Sequence, residues 1–518
     1  MSNHRKQITA GAVLSYVHIA IGAVITLLYT PFMIRVLGKN EYGLYNTVAA
    51  IVSTLSILSL GFGSSYVRFF SQYRAEDKQE EIKKLNGMFL IIFSVIGLVA
   101  LLCGLFLTFH LELVFDRGLT EEEFGIARKL MLLLTFNLAV SFPASVFTSI
   151  ITAHEKFIYQ KTLNLVRQVA SPLIQIPILL MGYASVGMVI CTVVINLIID
   201  LLNILFCLKK LKIGFVFHHF DLSIFKGLAV YSVFIAINMI VDQINLHIDK
   251  VLLGRFCGTA SVAVYSAGYS LYAHYHSFST SISNVFTPRI HHIWSDTKLT
   301  EAEKDNRLSE IFANVGRIQF MILLLVCSGL VIFGKQFIVH WVGKNFTNSY
   351  YVLIILAISA IVPLTQNVGI EIQRAKNKHQ FRSIIYGLMA IVNLVLSIYL
   401  CQLYGEVGSA IGTAVSFIVA NTIIMDIFYQ KVLDIHIGLY WKKVTRTTLS
   451  VVPAFIIGYS LCRLFDTYAV RYLLLCIILY TISYLICLYM LGMSSHEKQA
   501  IMNSVRKLGR RNNDRHRQ

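Results

Sequence analysis

Run after run of about twenty apolar residues, each enough for a helix to cross the hydrocarbon core of a bilayer, divides this sequence almost from end to end. In lipid the backbone of such a run must satisfy its own hydrogen bonds, which leaves the α-helix. The runs fall near 8–34, 43–67, 86–109, 128–151, 162–182, 186–208, 227–251, 261–287, 311–333, 350–372, 382–401, 406–429, 446–465 and 470–491. They predict an all-α integral membrane protein with 14 transmembrane helices. A β-barrel would instead alternate apolar and polar residues over strands of about ten. Composition agrees: 56% of residues are hydrophobic, 14% are charged and the mean hydropathy is +0.66, where a soluble protein carries about 25% charged residues. The longest polar stretch, near 289–310, is too short for a soluble catalytic domain.

Basic residues set the orientation. With the N-terminus inside, 34 of the 45 Lys and Arg lie in inner segments and 11 in outer ones, so the positive-inside effect predicts N-in, C-in topology. This bias accounts for the net charge of +18 without a nucleic-acid partner. The opening MSNHRKQ is like a signal-peptide flank, but the apolar run behind it is too long for a cleaved segment and reads as a retained first span. Nine scattered cysteines form no C-x-x-C pair, so neither a zinc site nor a disulfide framework is expected. The sequence holds no G-x-x-x-x-G-K-[ST], H-E-x-x-H or G-x-S-x-G motif. We therefore expect no enzyme and no cofactor; any driving force comes from a Na⁺ or H⁺ gradient, the membrane potential or the substrate gradient.

Some of the chain is said twice. VLGKNEYGLY, with Gly38, is matched by LLGRFCGTASVAVY, with Gly254; ITAHEK, ending at Lys156, by QRAKNK, ending at Lys378; Val186-Gly187 by Val407-Gly408. Six spans separate each pair, and an even number makes the repeats parallel. The expected organisation is an N-terminal six-helix lobe over 1–210, a C-terminal six-helix lobe over 211–432, two extra helices over 433–493 and a basic cytoplasmic tail over 494–518, whose 497–508 segment is amphipathic.

Polar groups within membrane spans are costly and point to function. The seventh run carries Asn238, Asp242, Asn245 and Asp249 at steps of four, three and four, one face of a helix. That face suits a hydrated cleft binding a substrate headgroup, or, at Asp242, a coupling cation; the alternative is contact between helices. Asn196, Asp200 and Asn203 repeat the pattern in the sixth run, making Asp200 a second ion-coupling candidate. Tyr272 and His276 offer stacking and hydrogen bonds for sugars, while Arg68 and Arg289, at inner span ends, offer guanidinium forks for phosphate. Arg35 and Arg255 occupy matching outer ends.

With its 14 spans and parallel repeats, and with VLGKNEYGLY, GSSYVRFFSQYR, DKVLLGRF and VAVYSAG, the chain resembles the polysaccharide transporter branch of the multidrug/oligosaccharidyl-lipid/polysaccharide exporter superfamily. The resemblance implies a flippase that turns undecaprenyl-pyrophosphate-linked oligosaccharides from the inner to the outer leaflet by alternating access. Membrane lipids are implied partners, as are a polysaccharide polymerase and glycosyltransferases. Spans 1, 2, 7 and 8 carry no central Arg or Lys, unlike the lipid II flippases. A cation-coupled exporter of drugs or other amphiphiles is the alternative, and a non-transporting scaffold of envelope assembly is a third reading.

Overall fold

The computed structural model describes residues 2–493 except Leu60, Val114, 116–118, 219–221 and His379, together with Lys498 and Gln499; side chains are described from residue 14 onward, except those of Ser64 and 222–238. Every regular element among these residues is helical. The chain packs as two compact units. The first, Met1–Ser277, Tyr351–Leu356 and Gln380–Ala420, holds α1 (Ser2–Thr54), α2 (Phe62–Ala75), α3 (Gln79–Phe109), α4 (Glu121–Ala153), α5 (Phe157–Leu180), α6 (Ala184–Leu205), α7 (Leu222–Phe256) and most of α8 (Thr259–Asn284). The second, Phe278–Tyr350, Ala357–His379 and Asn421–Gln518, holds α9 (Thr287–Ser295), α10 (Glu301–Val342), most of α11 (Asn348–Thr365) and α12 (Val368–Ala375). Nearly all of α13 (Gln380–Ile418) returns to the first unit, and α14 (Met425–Lys431), α15 (Ile437–Leu464) and α16 (Val470–Cys487) complete the second. This grouping by packing is a different partition from the sequence halves 1–210 and 211–432.

Among the described residues, ten helical stretches are long and apolar enough to cross a membrane. The two longest, Leu14–Ser59 with 46 residues and Gln380–Lys431 with 52, would reach roughly 70 and 80 Å at about 1.5 Å per residue, far beyond a hydrocarbon core of about 30 Å. Each is broken by one glycine, Gly38 (φ 76°) and Gly405 (φ 59°), in conformations that L side chains avoid. Several expected spans are also less regular than the sequence suggested. The second gives way to a 3₁₀ turn at Leu55–Ser59 and a left-handed Gly61 before α2 starts. The tenth divides into α11 and α12. The polar stretch near 289–310 contains α9 and opens α10, whose Thr300 hydroxyl accepts from the Glu303 N–H while the Glu303 carboxylate accepts from the Thr300 N–H. Thr300→Ala removes this capping box and is expected to cost about 1 kcal/mol, seen as a small fall in Tm.

Among the described residues, eight of the twelve left-handed ones pair at nearly constant intervals. Gly38 and Gly258 are 220 apart, Glu155 and Asn377 222, Gly182 and Gly405 223, Lys212 and Asp434 222. Gly38 pairs at that interval with Gly258, whereas Gly254, its match by residue type, lies inside α7.

Aromatic cores hold each unit. In the first, Tyr66, Phe70, Phe89, Phe93 and Phe142 are buried between α2, α3 and α4. The Tyr66 hydroxyl donates to Asn86 Oδ1 at 2.6 Å, and Asn86 Nδ2 donates to the Gly214 carbonyl at 2.9 Å. In the second, Phe312 packs edge-on against Tyr429 and Tyr440. The outer faces are apolar: on α3 alone Leu98, Leu102, Phe106 and Phe109 are more than half exposed at steps of four, four and three. A stripe of this kind is an aggregation liability in water and is satisfied in lipid. The protein is a multi-pass membrane protein.

Close approach of backbones sets one junction. A Cβ on Gly43, just past the α1 break, would lie 1.8 Å from the Thr259 carbonyl oxygen at the start of α8. Only glycine lets these helices meet.

Candidate functional site

Helix α7 has two polar faces within the first unit, and they serve different neighbours. Asp249 is 2% exposed. Its carboxylate accepts from the Tyr265 hydroxyl of α8 at 2.7 Å and from Ser409 Oγ and Thr413 Oγ1 of α13, each at 2.7 Å. Thr413 also reaches Asn393 Oδ1 at 3.3 Å, which accepts from Ser397 at 3.0 Å, and Asn393 Nδ2 donates to Asn245 Oδ1 at 3.4 Å. Three hydroxyl donors around one buried carboxylate compensate its desolvation, the condition for keeping such a group inside a membrane protein. Lys250 is held apart over the Tyr269 ring, 5.2 Å from its centroid.

The second face opens on space. Gln243 and His247, four residues and one turn apart, line a cavity of about 300 Å³ with Ser53, Ser56 and Asn137 and the apolar wall of Ala49, Val52, Leu134 and Leu138. Gln243 Oε1 and His247 Nδ1 are buried there without a hydrogen-bond partner. Asn137 Oδ1, on α4, accepts from Asn196 Nδ2 of α6 at 3.1 Å. Gln243, His247, Asn137 and the two serines give this cavity amide, imidazole and hydroxyl groups that can exchange hydrogen bonds with a polyhydroxylated ligand.

The expected α7 stripe therefore divides. Asp249 and Asn245 turn into the packing against α8 and α13, Asp242 is exposed, and the Asn238 side chain lies outside the described residues. The physical reason is the partner surface: Asn393, Ser397, Ser409 and Thr413 give α13 a matching polar stripe, so the two faces close on each other. Tyr272 and His276 are half-buried on α8, their rings 6.2 Å apart. Asp200 is half-buried on α6, and Asn203 is buried one turn on. Arg68, on α2 in the first unit, is exposed. Arg289 is exposed in the second unit, where it lines a separate cavity of about 350 Å³ with His292, Arg307, Glu310 and Asn314. Arg35 and Arg255 are exposed, the latter over the Phe256 ring. Most of the amphipathic 497–508 segment lies outside the described residues.

Sequence reasoning missed Ser53, Ser56 and Asn137, the α13 stripe, and the role of Gln243 and His247. The usable signal was periodic: Asn393–Ser397 and Ser409–Thr413 are each four apart inside apolar runs.

A family described as polysaccharide biosynthesis protein matches residues 8–294. A Shigella flexneri protein described as an O-antigen transporter is 22% identical over 431 residues, covering 80% of this chain and 96% of its own. Among solved structures, lipid II flippase MurJ in an inward closed conformation superposes with a TM-score of 0.68 at 18% identity, covering 90% of this chain and 97% of its own. An inward-facing multidrug resistance transporter of the MATE family, in the MOP superfamily, gives a TM-score of 0.62 at 14% identity, covering 80% and 96%.

Proposed function

Because the chain belongs to the polysaccharide biosynthesis protein family and carries the fold shared with MurJ and the MATE transporters, we propose that it is a flippase for lipid-linked oligosaccharides. The substrate of this reading is an undecaprenyl-pyrophosphate-linked repeat unit, moved from the cytoplasmic to the outer leaflet by alternating access. A sugar headgroup cannot cross hydrocarbon because its hydroxyls and phosphates would lose their water bonds, whereas the prenyl tail stays in lipid. A polar cavity that replaces those bonds lowers the barrier, and no covalent bond changes.

The observation that carries the reading is the polar cavity on α7, lined by Gln243 and His247 beside Ser53, Ser56 and Asn137. Sugar hydroxyls can both donate to and accept from such groups. Arg68 and Arg289 would attract the pyrophosphate from the cytoplasmic side, and Tyr272 and His276 would stack on sugars. Two passes in each of the glycine-broken stretches, with α7 and α8 as one pass each, give the fourteen spans expected from sequence. The spacing of left-handed residues by 220 to 223 favours two parallel six-helix halves, followed by α15 and α16. The proposed orientation is N-in, C-in.

Proteoliposomes with leaflet-resolved labelling of an undecaprenyl-pyrophosphate-linked oligosaccharide test the reading. Wild type should accelerate transbilayer movement. Gln243→Leu with His247→Leu should slow it about thirtyfold, as expected for two lost hydrogen bonds near 1 kcal/mol each, while thermal stability holds. Normal rates in that folded variant, or no acceleration by wild type, would sink the proposal. One observation favours a second reading, a cation-coupled exporter of drugs or other amphiphiles: the buried Asp249 carboxylate is a group whose neutralisation a Na⁺ or H⁺ gradient can drive. Asp242 and Asp200 are the other carboxylates to test. Movement of cationic dyes in place of the oligosaccharide would select that reading.

A further inference from the structure

Helix α15 spends one face on packing and leaves another unspent. Tyr440, Val444, Thr447, Val451 and Ala454 are buried. The Tyr440 hydroxyl lies 2.6 Å from Thr365 Oγ1, Trp441 Nε1 donates to Asp426 Oδ2 at 2.8 Å, and Lys443 donates to Asn314 Oδ1. The remaining face is Lys442, Thr445, Arg446 and Leu449, at i, i+3, i+4 and i+7. Together with Ser450, and with Leu491 from the π-helical turn Leu488–Gly492, it lines a cavity of about 600 Å³. Among the described residues neither Lys442 nor Arg446 has a hydrogen bond or an ion pair. Two unneutralised cations one turn apart thus share a cavity with two leucines that are 67% and 56% exposed.

The order along the helix matches the order of groups in a lipid. Lys442 and Arg446 lie in the first three turns of α15, and Leu449 follows about 4.5 Å deeper at about 1.5 Å per residue. A guanidinium fork and an ammonium suit phosphate oxygens, and exposed leucines in a membrane-spanning helix face acyl chains. The geometry points to a binding site for an anionic glycerophospholipid in this cavity, its phosphate between Lys442 and Arg446 and an acyl chain along Leu449 and Leu491. A zwitterionic lipid would bring its own ammonium against the two cations and bind more weakly. The site shares no residue with the proposed transport path and stands whether or not the substrate is an oligosaccharide.

The test uses the full chain in detergent, titrated with phosphatidylglycerol or with phosphatidylcholine of the same acyl chains, bound lipid being counted by native mass spectrometry. At about 1 kcal/mol per basic residue, two residues give a preference for phosphatidylglycerol of about thirtyfold. The preference should vanish in Lys442→Gln/Arg446→Gln and persist in Lys442→Arg/Arg446→Lys. If the double glutamine variant fails to fold, Arg446→Gln alone should reduce the preference several-fold. Three results would overturn the site: a preference that survives the glutamine variants, full competition by an equal concentration of inorganic phosphate, which marks a bare anion site, or tighter binding there of undecaprenyl phosphate, which assigns the cavity to a transport substrate.

Discussion

Asp249→Leu is expected to leave little folded protein, whereas Asp249→Asn should fold nearly as well as wild type. Leucine orphans two buried hydroxyls, those of Tyr265 and Ser409, and leaves Thr413 only its longer bond to Asn393. At about 1–3 kcal/mol for each unsatisfied group, the loss is a large part of the stability of an ordinary domain. Asparagine keeps one carbonyl acceptor, and its amide N–H can donate to hydroxyls that rotate to accept. Detergent-solubilised yield and Tm separate the two variants. The asparagine variant then answers a second question, because it cannot lose or regain a proton or neutralise a cation. If transport driven by an imposed Na⁺ or H⁺ gradient falls at least tenfold while Tm holds, Asp249 couples transport to that ion. If gradient dependence is unchanged, the carboxylate only ties α7 to α8 and α13. Running Asp242→Asn and Asp200→Asn beside it identifies which carboxylate responds.

Gly43→Ala should destabilise the first unit by about 3 kcal/mol, the upper end of ordinary overpacking. Its methyl would meet the Thr259 backbone rather than a side chain that can swing aside. Relief requires α1 to move off the start of α8, close to the cavity formed by Ala49, Ser53, Gln243 and His247, so transport should fail along with stability. Gly125→Ala is the matched control. That glycine is also helical, but nothing lies within 4 Å of the added carbon, and the substitution should be neutral or stabilise by up to about 1 kcal/mol. Equal Tm values for the two alanine variants would refute the argument.

The membrane character was legible because hydrocarbon thickness imposes a length that composition cannot hide: ten stretches among the described residues meet it, and the two longest break at glycines. The Gly38 junction was legible as a motif. Residue type matches it to Gly254, while the backbone puts the next left-handed glycine at Gly258, because Leu-Gly matches by type and a turn selects by conformation. On α7 the spacing put Asp242, Asn245 and Asp249 on one side of the helix, but spacing does not say what covers that side: Asn245 and Asp249 meet α8 and α13 while Asp242 is exposed. The covering stripe, Asn393, Ser397, Ser409 and Thr413, is written in small polar residues that hardly interrupt an apolar run. Gln243 and His247 were visible as polar residues on neighbouring faces; their cavity depends on α1 and α4, far away in sequence. The irregular stretch around Leu55–Gly61 was hidden because a 3₁₀ turn made of Leu, Ser and Ile reads as more of the same helix.

The breaks at Gly38 and Gly405 bear on which changes of chain length the protein can accept. A single residue joins the two helices at each break, so a residue inserted there must be absorbed by one of the flanking helices rather than by a loop. Variation in length belongs instead to connections without regular structure, such as 212–217.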